Sequence, residues 1–260
     1  MDSNSFLPLS DSIQLPVIDF SDQILRPGTS KWDKVKADVR KALEDYGCFE
    51  AFFDKVSVDL DKSVFEAMEE LFDLPVQTKQ RNVGTMHGFS EQLAKLDVMV
   101  RRMLIESFGI EKYIDEHLNS TNYLFRMMKY TAPPDDDGGN EETKLGLRSH
   151  TDKNILTILH QYQVDGLEIQ TKDEKWIKAF LNGRLSSPYH RVLMTAKKTR
   201  YSTALFSVPK SGVIIDSPEE LVDEEHPRMF KPFEYNDYRD FFNTEAGRTA
   251  QSTLHAFCAL

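Results

Sequence analysis

The chain has 260 residues, 40% of them hydrophobic and 28% charged, with a net charge of −10 and a pI of about 5.2. That length supports one large domain or two small ones around a sizeable core, and the acidity excludes nucleic acid and anionic membrane as main partners, since both select a basic face. Two cysteines, Cys48 and Cys258, exclude a cysteine-rich zinc site and a disulfide framework; they read as reduced thiols, Cys48 in a core and Cys258 near the C-terminus.

Met1 to Ser12 is polar and acidic and lacks the basic and apolar regions of a signal peptide. No apolar run approaches the length of a membrane span, so the cytoplasm is the expected compartment. Leu15–Phe20, opened by Pro16, reads as an edge strand. Trp32, Val35, Val39, Ala42, Leu43 and Tyr46 recur at helical spacing until Gly47. Cys48–Phe53 reads as a strand and Val58–Phe72 as a second helix. A third is expected to begin near Ser90, where Phe89, Leu93, Leu96, Val100, Met103, Leu104 and Phe108 form an apolar stripe that belongs to a core.

From Tyr123 the period changes. Strands are expected over Tyr123–Tyr130, Ile155–Leu159, Leu167–Gln170, Trp176–Phe180, Tyr189–Thr195, Tyr201–Val208 and Val213–Ile215, with a polar loop over Pro133–Thr143. Tyr235–Phe257 returns to a helical pattern. The expected fold class is α+β: a helical region with an edge strand over residues 1–122, then a jelly-roll over 123–260 closed by a C-terminal helix.

Three motifs carry chemistry. In His150-Thr151-Asp152, residues two apart on a strand share a face, so an imidazole and a carboxylate converge. His190 is the candidate third ligand, which completes the two-histidine, one-carboxylate set of non-haem Fe(II) oxygenases. In Arg200-Tyr201-Ser202 a guanidinium fork and a hydroxyl share a face, and together they suit a carboxylate. Ala196-Lys197-Lys198 suggests a hairpin that brings His190 and Ser202 together. His160, inside the apolar run ILTILHQ, reads as structural. His87, His117, His226 and His255 read as surface or packing residues.

These blocks resemble the plant 2-oxoglutarate/Fe(II)-dependent dioxygenases. The segments LPVIDFS, RSHTDKNILTILHQYQVDGLEIQTKDEKWIK, NGRLSSPYHRV and RYSTALFSVPK carry the likeness. LDVMVRRMLIESFGIEKYIDEHLNSTNYL and SPEELVDEEHPRMFKPFEY are similar to the branch that modifies glucosinolate side chains. The resemblance implies a jelly-roll (double-stranded β-helix) that binds Fe(II) through His150, Asp152 and His190. It implies that Arg200 and Ser202 hold the distal carboxylate of 2-oxoglutarate, with Tyr130 in contact. Met128 replaces an asparagine common two residues before that tyrosine. The implied reaction couples decarboxylation of 2-oxoglutarate to oxidation of a small metabolite, with ascorbate as reductant and the protein as a monomer.

The sequence departs from the family in two places. Arg81–Phe89 (RNVGTMHGF) is short where relatives carry substrate-side wall. Only 37 residues separate Asp152 from His190, and Lys178 runs almost directly into Leu181-Asn182-Gly183. A core strand is expected to be missing there, which would shift the frame that carries His190. The alternative to an active dioxygenase is therefore a truncated, inactive member of the same family.

Overall fold

The computed structural model describes residues 14–74, 83–132, 144–170, 179–185, 187–194, 198–250 and 252–260. Strand β1 (Val17–Asp19) pairs in parallel with β2 (Glu50–Phe52), and helix α1 (Ser30–Asp45) joins them. Thr29 caps α1 by accepting from Trp32 N at 3.2 Å; Trp32, Val35, Val39, Ala42 and Leu43 form its buried face. Gly47, at φ 73°, turns the chain out. Helix α2 (Val58–Asp73) is capped by Ser57 and buries Val64, Phe65, Met68 and Leu71.

Helix α3 (Val83–Ser107) runs 25 residues and begins seven before Ser90. Gly84 and Gly88 weakened the sequence signal for its first turns, which tertiary packing of Met86 and Phe89 supports. Its predicted stripe is core: Phe89 and Leu93 pack toward α2, and Leu96, Val100, Met103 and Leu104 toward α1. The RNVGTMHGF segment lies outside the described residues up to Asn82.

The β region is two facing three-stranded sheets. One has the order β3 (Thr121–Tyr130), β8 (Arg200–Pro209), β5 (Leu156–Tyr162). The other has the order β4 (Lys144–His150), β7 (Tyr189–Met194), β6 (Leu167–Gln170). All their pairings are antiparallel. The β8 strand alternates cleanly: Tyr201 and Leu205 pack toward α2 and α3, and Ser207 bonds to α3, so Arg200 and Ser202 face the interior between the sheets. A short ribbon of β9 (Ile214–Ile215) and β10 (Phe233–Glu234) adjoins them.

Several expectations are corrected. Strand β4 was not foreseen: its residues are mostly exposed, and Gly146 and Arg148 interrupt any apolar alternation. The anticipated hairpin does not form, because β7 and β8 belong to opposite sheets. The expected Trp176–Phe180 strand lies outside the described residues up to Lys178, and Ala179–Asn182 forms a turn. Among the described residues no strand lies between β6 and β7. There β5 and β6 each have a strand partner on one side only. The C-terminal helix is three short ones, Tyr235–Phe242, Glu245–Thr249 and Thr253–Cys258. Both cysteines are free, but Cys258 is the buried one and Cys48 is half-buried. The Pro133–Thr143 loop lies outside the described residues.

A buried charge network ties the helices to the β region. Asp97 accepts from Arg101 Nε at 2.8 Å and Tyr123 OH at 2.7 Å, and from Ser207 Oγ. Arg101 also donates to Thr121 Oγ1 at 2.9 Å. Burial, then the Asp97 carboxylate, pushes the Tyr123 phenol up to about 12.

Nearby, His117 on α4 (Ile114–Asn119) packs on Phe180, ring centroids 4.7 Å apart. Burial, then the Arg101 charge, pushes its pKa down to about 3. The unfolded chain therefore takes up this proton near pH 6.5 while the folded chain resists it. The His117 contribution is fully present above pH 6.5 and drains away as pH falls toward about 3. His117→Asn should flatten the decline of melting temperature between pH 7 and pH 4; parallel curves would refute this.

Candidate metal centre and co-substrate anchor

His150 ends β4, and His190 is the second residue of β7. They are direct cross-strand partners in the antiparallel pair. Their rings stand 4.3 Å apart. Asp152 lies two residues beyond His150, but past the strand end, so the connection to β5 presents it rather than the strand pleat. Asp152 Oδ1 stands 3.7 Å from His150 Nε2 and 3.7 Å from His190 Nε2. One ligand atom from each residue falls within 4.8 Å of the others. Metal–ligand bonds of about 2.1 Å accommodate such a cluster with small side-chain adjustment.

Backbone carbonyls set both imidazoles. His150 Nδ1 lies 2.8 Å from Arg148 O, and His190 Nδ1 lies 3.3 Å from Pro188 O. A carbonyl only accepts, so Nδ1 carries the proton and Nε2 turns its lone pair toward Asp152. Burial lowers the His150 pKa, which favours the unprotonated ring. Two imidazole nitrogens and a carboxylate oxygen on one side are the donor set that suits Fe(II) and leaves its opposite positions open. The residues present therefore fit that ion.

His190 stands opposite His150 in the β4–β7 pair. The anchor lies on β8 and β3, where Arg200 pairs with Tyr130 and Ser202 with Met128.

Arg200 and Ser202 are fully buried. Arg200 Nη1 donates to Ser202 Oγ at 3.0 Å, and its guanidinium carbon lies 5.0 Å from the centre of the Tyr130 ring. Gln161 Oε1 accepts from Arg200 Nε at 3.1 Å and Nη2 at 2.5 Å. Gly166 backs the guanidinium: a Cβ there would stand 3.0 Å from Arg200 Cδ and 2.8 Å from Leu193 O. Burial lowers the Arg200 pKa from its usual value, opposed by Tyr130 and Asp165.

A cavity of about 810 Å³ runs along β5 and is lined by Asp152, His190, Thr157, Gln161, Phe49 and Phe53, among others. His160 points away from this centre, toward the helices. It stacks on Phe65 and lies 3.5 Å from Asp61, as a structural residue would.

Thr157 and Gln161 were missed as site residues. ILTILHQ reads as one apolar run, yet residues 157, 159 and 161 share the strand face opposite that of His160. Their period of two was the available signal.

Known proteins bear on this geometry. The non-haem dioxygenase N-terminal family, described from morphine synthesis, matches residues 15–120. The 2OG-Fe(II) oxygenase superfamily matches residues 116–209. A probable 2-oxoglutarate-dependent dioxygenase, AOP1.2 of Arabidopsis thaliana, is 63% identical, with 100% of both chains covered. That alignment spans 321 positions, so 321 less 260 leaves 61 positions without a residue of this chain. The 2-oxoglutarate-dependent dioxygenase AOP3 of the same plant is 39% identical over 96% of this chain and 98% of its own. Among solved structures, the rice dioxygenase for auxin oxidation shares the fold at a TM-score of 0.75 and 24% identity, covering 95% of this chain and 100% of its own. With an iron-type donor triad and a guanidinium anchor set between two jelly-roll sheets, and relatives that match end to end, the chain belongs to the 2-oxoglutarate/Fe(II)-dependent dioxygenases.

Proposed function

We propose that His150, Asp152 and His190 hold iron and that Arg200 and Ser202, beside Tyr130, hold the distal carboxylate of 2-oxoglutarate. The observation that carries this reading is the cross-strand register of His150 and His190 with Asp152 Oδ1 at equal distance from both. Iron, if bound there, would supply the O2 chemistry in which one O2 oxidises both 2-oxoglutarate, with loss of CO2, and a substrate C–H bond. The chain's own part is binding and exclusion. Arg200 supplies a buried positive charge, and Gln161, whose amide oxygen stands where a carboxylate oxygen would, must yield to the co-substrate. The cavity has the volume of a small-molecule site.

The substrate is a small plant metabolite, and similarity to the glucosinolate-modifying branch makes a glucosinolate side chain the first compound class to try. Residues 1–122 serve as the helical frame and 123–260 as the catalytic jelly-roll. The protein acts in the cytoplasm as a monomer, with ascorbate keeping iron reduced. No helix among the described residues is long and apolar enough to cross a membrane.

The test is anaerobic addition of Fe(II) and 2-oxoglutarate to folded protein. A metal-to-ligand charge-transfer band in the visible supports the reading, and its absence overturns it. Arg200→Lys should weaken 2-oxoglutarate binding roughly ten- to a hundredfold, the loss of one charge-assisted hydrogen bond of about 1.5–3 kcal/mol. Titrating the band with 2-oxoglutarate measures this.

A second reading is a chain that assembles the site without turnover. The observation that favours it is that, among the described residues, no strand lies between β6 and β7. Succinate release above background with a glucosinolate panel decides against it; a charge-transfer band with no succinate from any compound decides for it.

A further inference from the structure

We propose that Thr157 is a positioning residue that makes Asp152 a one-oxygen ligand, with Asn154 setting the direction of its proton. The inference rests on the metal-site reading above. Thr157 Oγ1 lies 2.6 Å from Asp152 Oδ2, while Oδ1 alone faces the two imidazoles. The buried Asn154 amide donates one hydrogen to Leu156 O at 2.6 Å and the other to Thr157 Oγ1 at 3.0 Å. A hydroxyl has a single proton and Asn154 fills one of its lone pairs, so that proton goes to the carboxylate, the shorter and charged acceptor.

The chain folds to enforce this. Thr157 is β-branched and near the start of β5, where a strand restricts its side-chain rotation. It faces the interior opposite Phe206, while the connection from β4 brings Asp152 back against it.

The chemical consequence is a count of positions. Three protein donor atoms would leave room on a six-coordinate ion for a chelating 2-keto acid and O2. A carboxylate free to bind through both oxygens would take one of those positions. Tying Oδ2 to a hydroxyl holds that position open and keeps Oδ1 aimed before any ion arrives. No other residue named at the centre performs this task, since the carbonyls of Arg148 and Pro188 orient only the histidines.

The experiment compares the unaltered chain with Thr157→Val, Thr157→Ala and Thr157→Ser, stripped of metal and titrated with Mn(II). Free Mn(II) is read by electron paramagnetic resonance, and apo melting temperatures are recorded in parallel. Val and Ala should bind Mn(II) about 10–100-fold more weakly, the usual cost of losing a partner that orients a metal ligand. Ser should bind like the unaltered chain. Because the loss should appear without a matching fall in apo melting temperature, it separates positioning from structural support. If Val destabilises the fold, Ala carries the comparison. Equal affinity in Val and the unaltered chain overturns the positioning role and leaves the metal site standing. Ser as weak as Val also overturns it, because the methyl group would then be the cause. No Mn(II) binding by the unaltered chain overturns both readings.

Discussion

His190→Ala should abolish metal binding and, with it, the charge-transfer band given by Fe(II) and 2-oxoglutarate. The loss should exceed the roughly 10–100-fold that follows removal of a supporting hydrogen bond, because here a donor atom itself is gone. His150 and Asp152 would remain, but two ligands from one short segment do not enclose an ion. His190 is also the only one of the three carried by β7, so its removal separates the two halves of the centre. The apo fold should survive, since the His190 imidazole meets the Pro188 carbonyl and its two fellow ligands and lies next to the cavity rather than in a hydrophobic core. Mn(II) titration and circular dichroism measure the two outcomes. Retained Mn(II) affinity would remove His190 from the centre.

Asp97→Ala should be strongly destabilising. It leaves the Arg101 guanidinium, which is 2% exposed, without its counter-charge. Tyr123 and Ser207 lose an acceptor in the same step. Breaking one side of a buried ion pair costs about 3–5 kcal/mol. For a chain of this size that is a fall in melting temperature of roughly 10 °C. Replacing both partners, with Asp97→Leu and Arg101→Met, should recover much of the loss, because a buried pair contributes little over apolar residues that fill its space. Chemical denaturation followed by circular dichroism checks both. A loss below about 1 kcal/mol, typical of solvated pairs, would show that water reaches this network.

The sequence revealed its chemistry more readily than its architecture. His150, Asp152 and His190 were legible because metal chemistry needs those atom types, and Arg200-x-Ser202 because a strand's pleat places alternate residues together. Helices α1 and α2 were legible from apolar spacing, with Gly47 marking the end of α1. What failed was pairing. A three-residue turn before β8 reads locally as a hairpin, and only the opposing sheet shows that β7 and β8 part company. Strand β4 carried no apolar alternation, since much of it is exposed. Thr157 and Gln161 were hidden because hydrophobic neighbours on the outer face of β5 dominate the composition of that stretch.

The candidate metal ligands His150 and His190 sit on the paired strands β4 and β7, and Tyr130 faces Arg200 across β3 and β8, while β6 and β5 pair on the other side of β7 and β8. Wear beyond these edges meets the centre first through β5, which carries Thr157 and Gln161. A lineage built on this plan can shed a strand beyond β5 or β6 and keep its ligand residues, with the first loss falling on longevity. Chains sorted by ligand motif alone would then pool sturdy and short-lived members. Half-life at growth temperature, measured beside metal affinity, is the property that tells them apart.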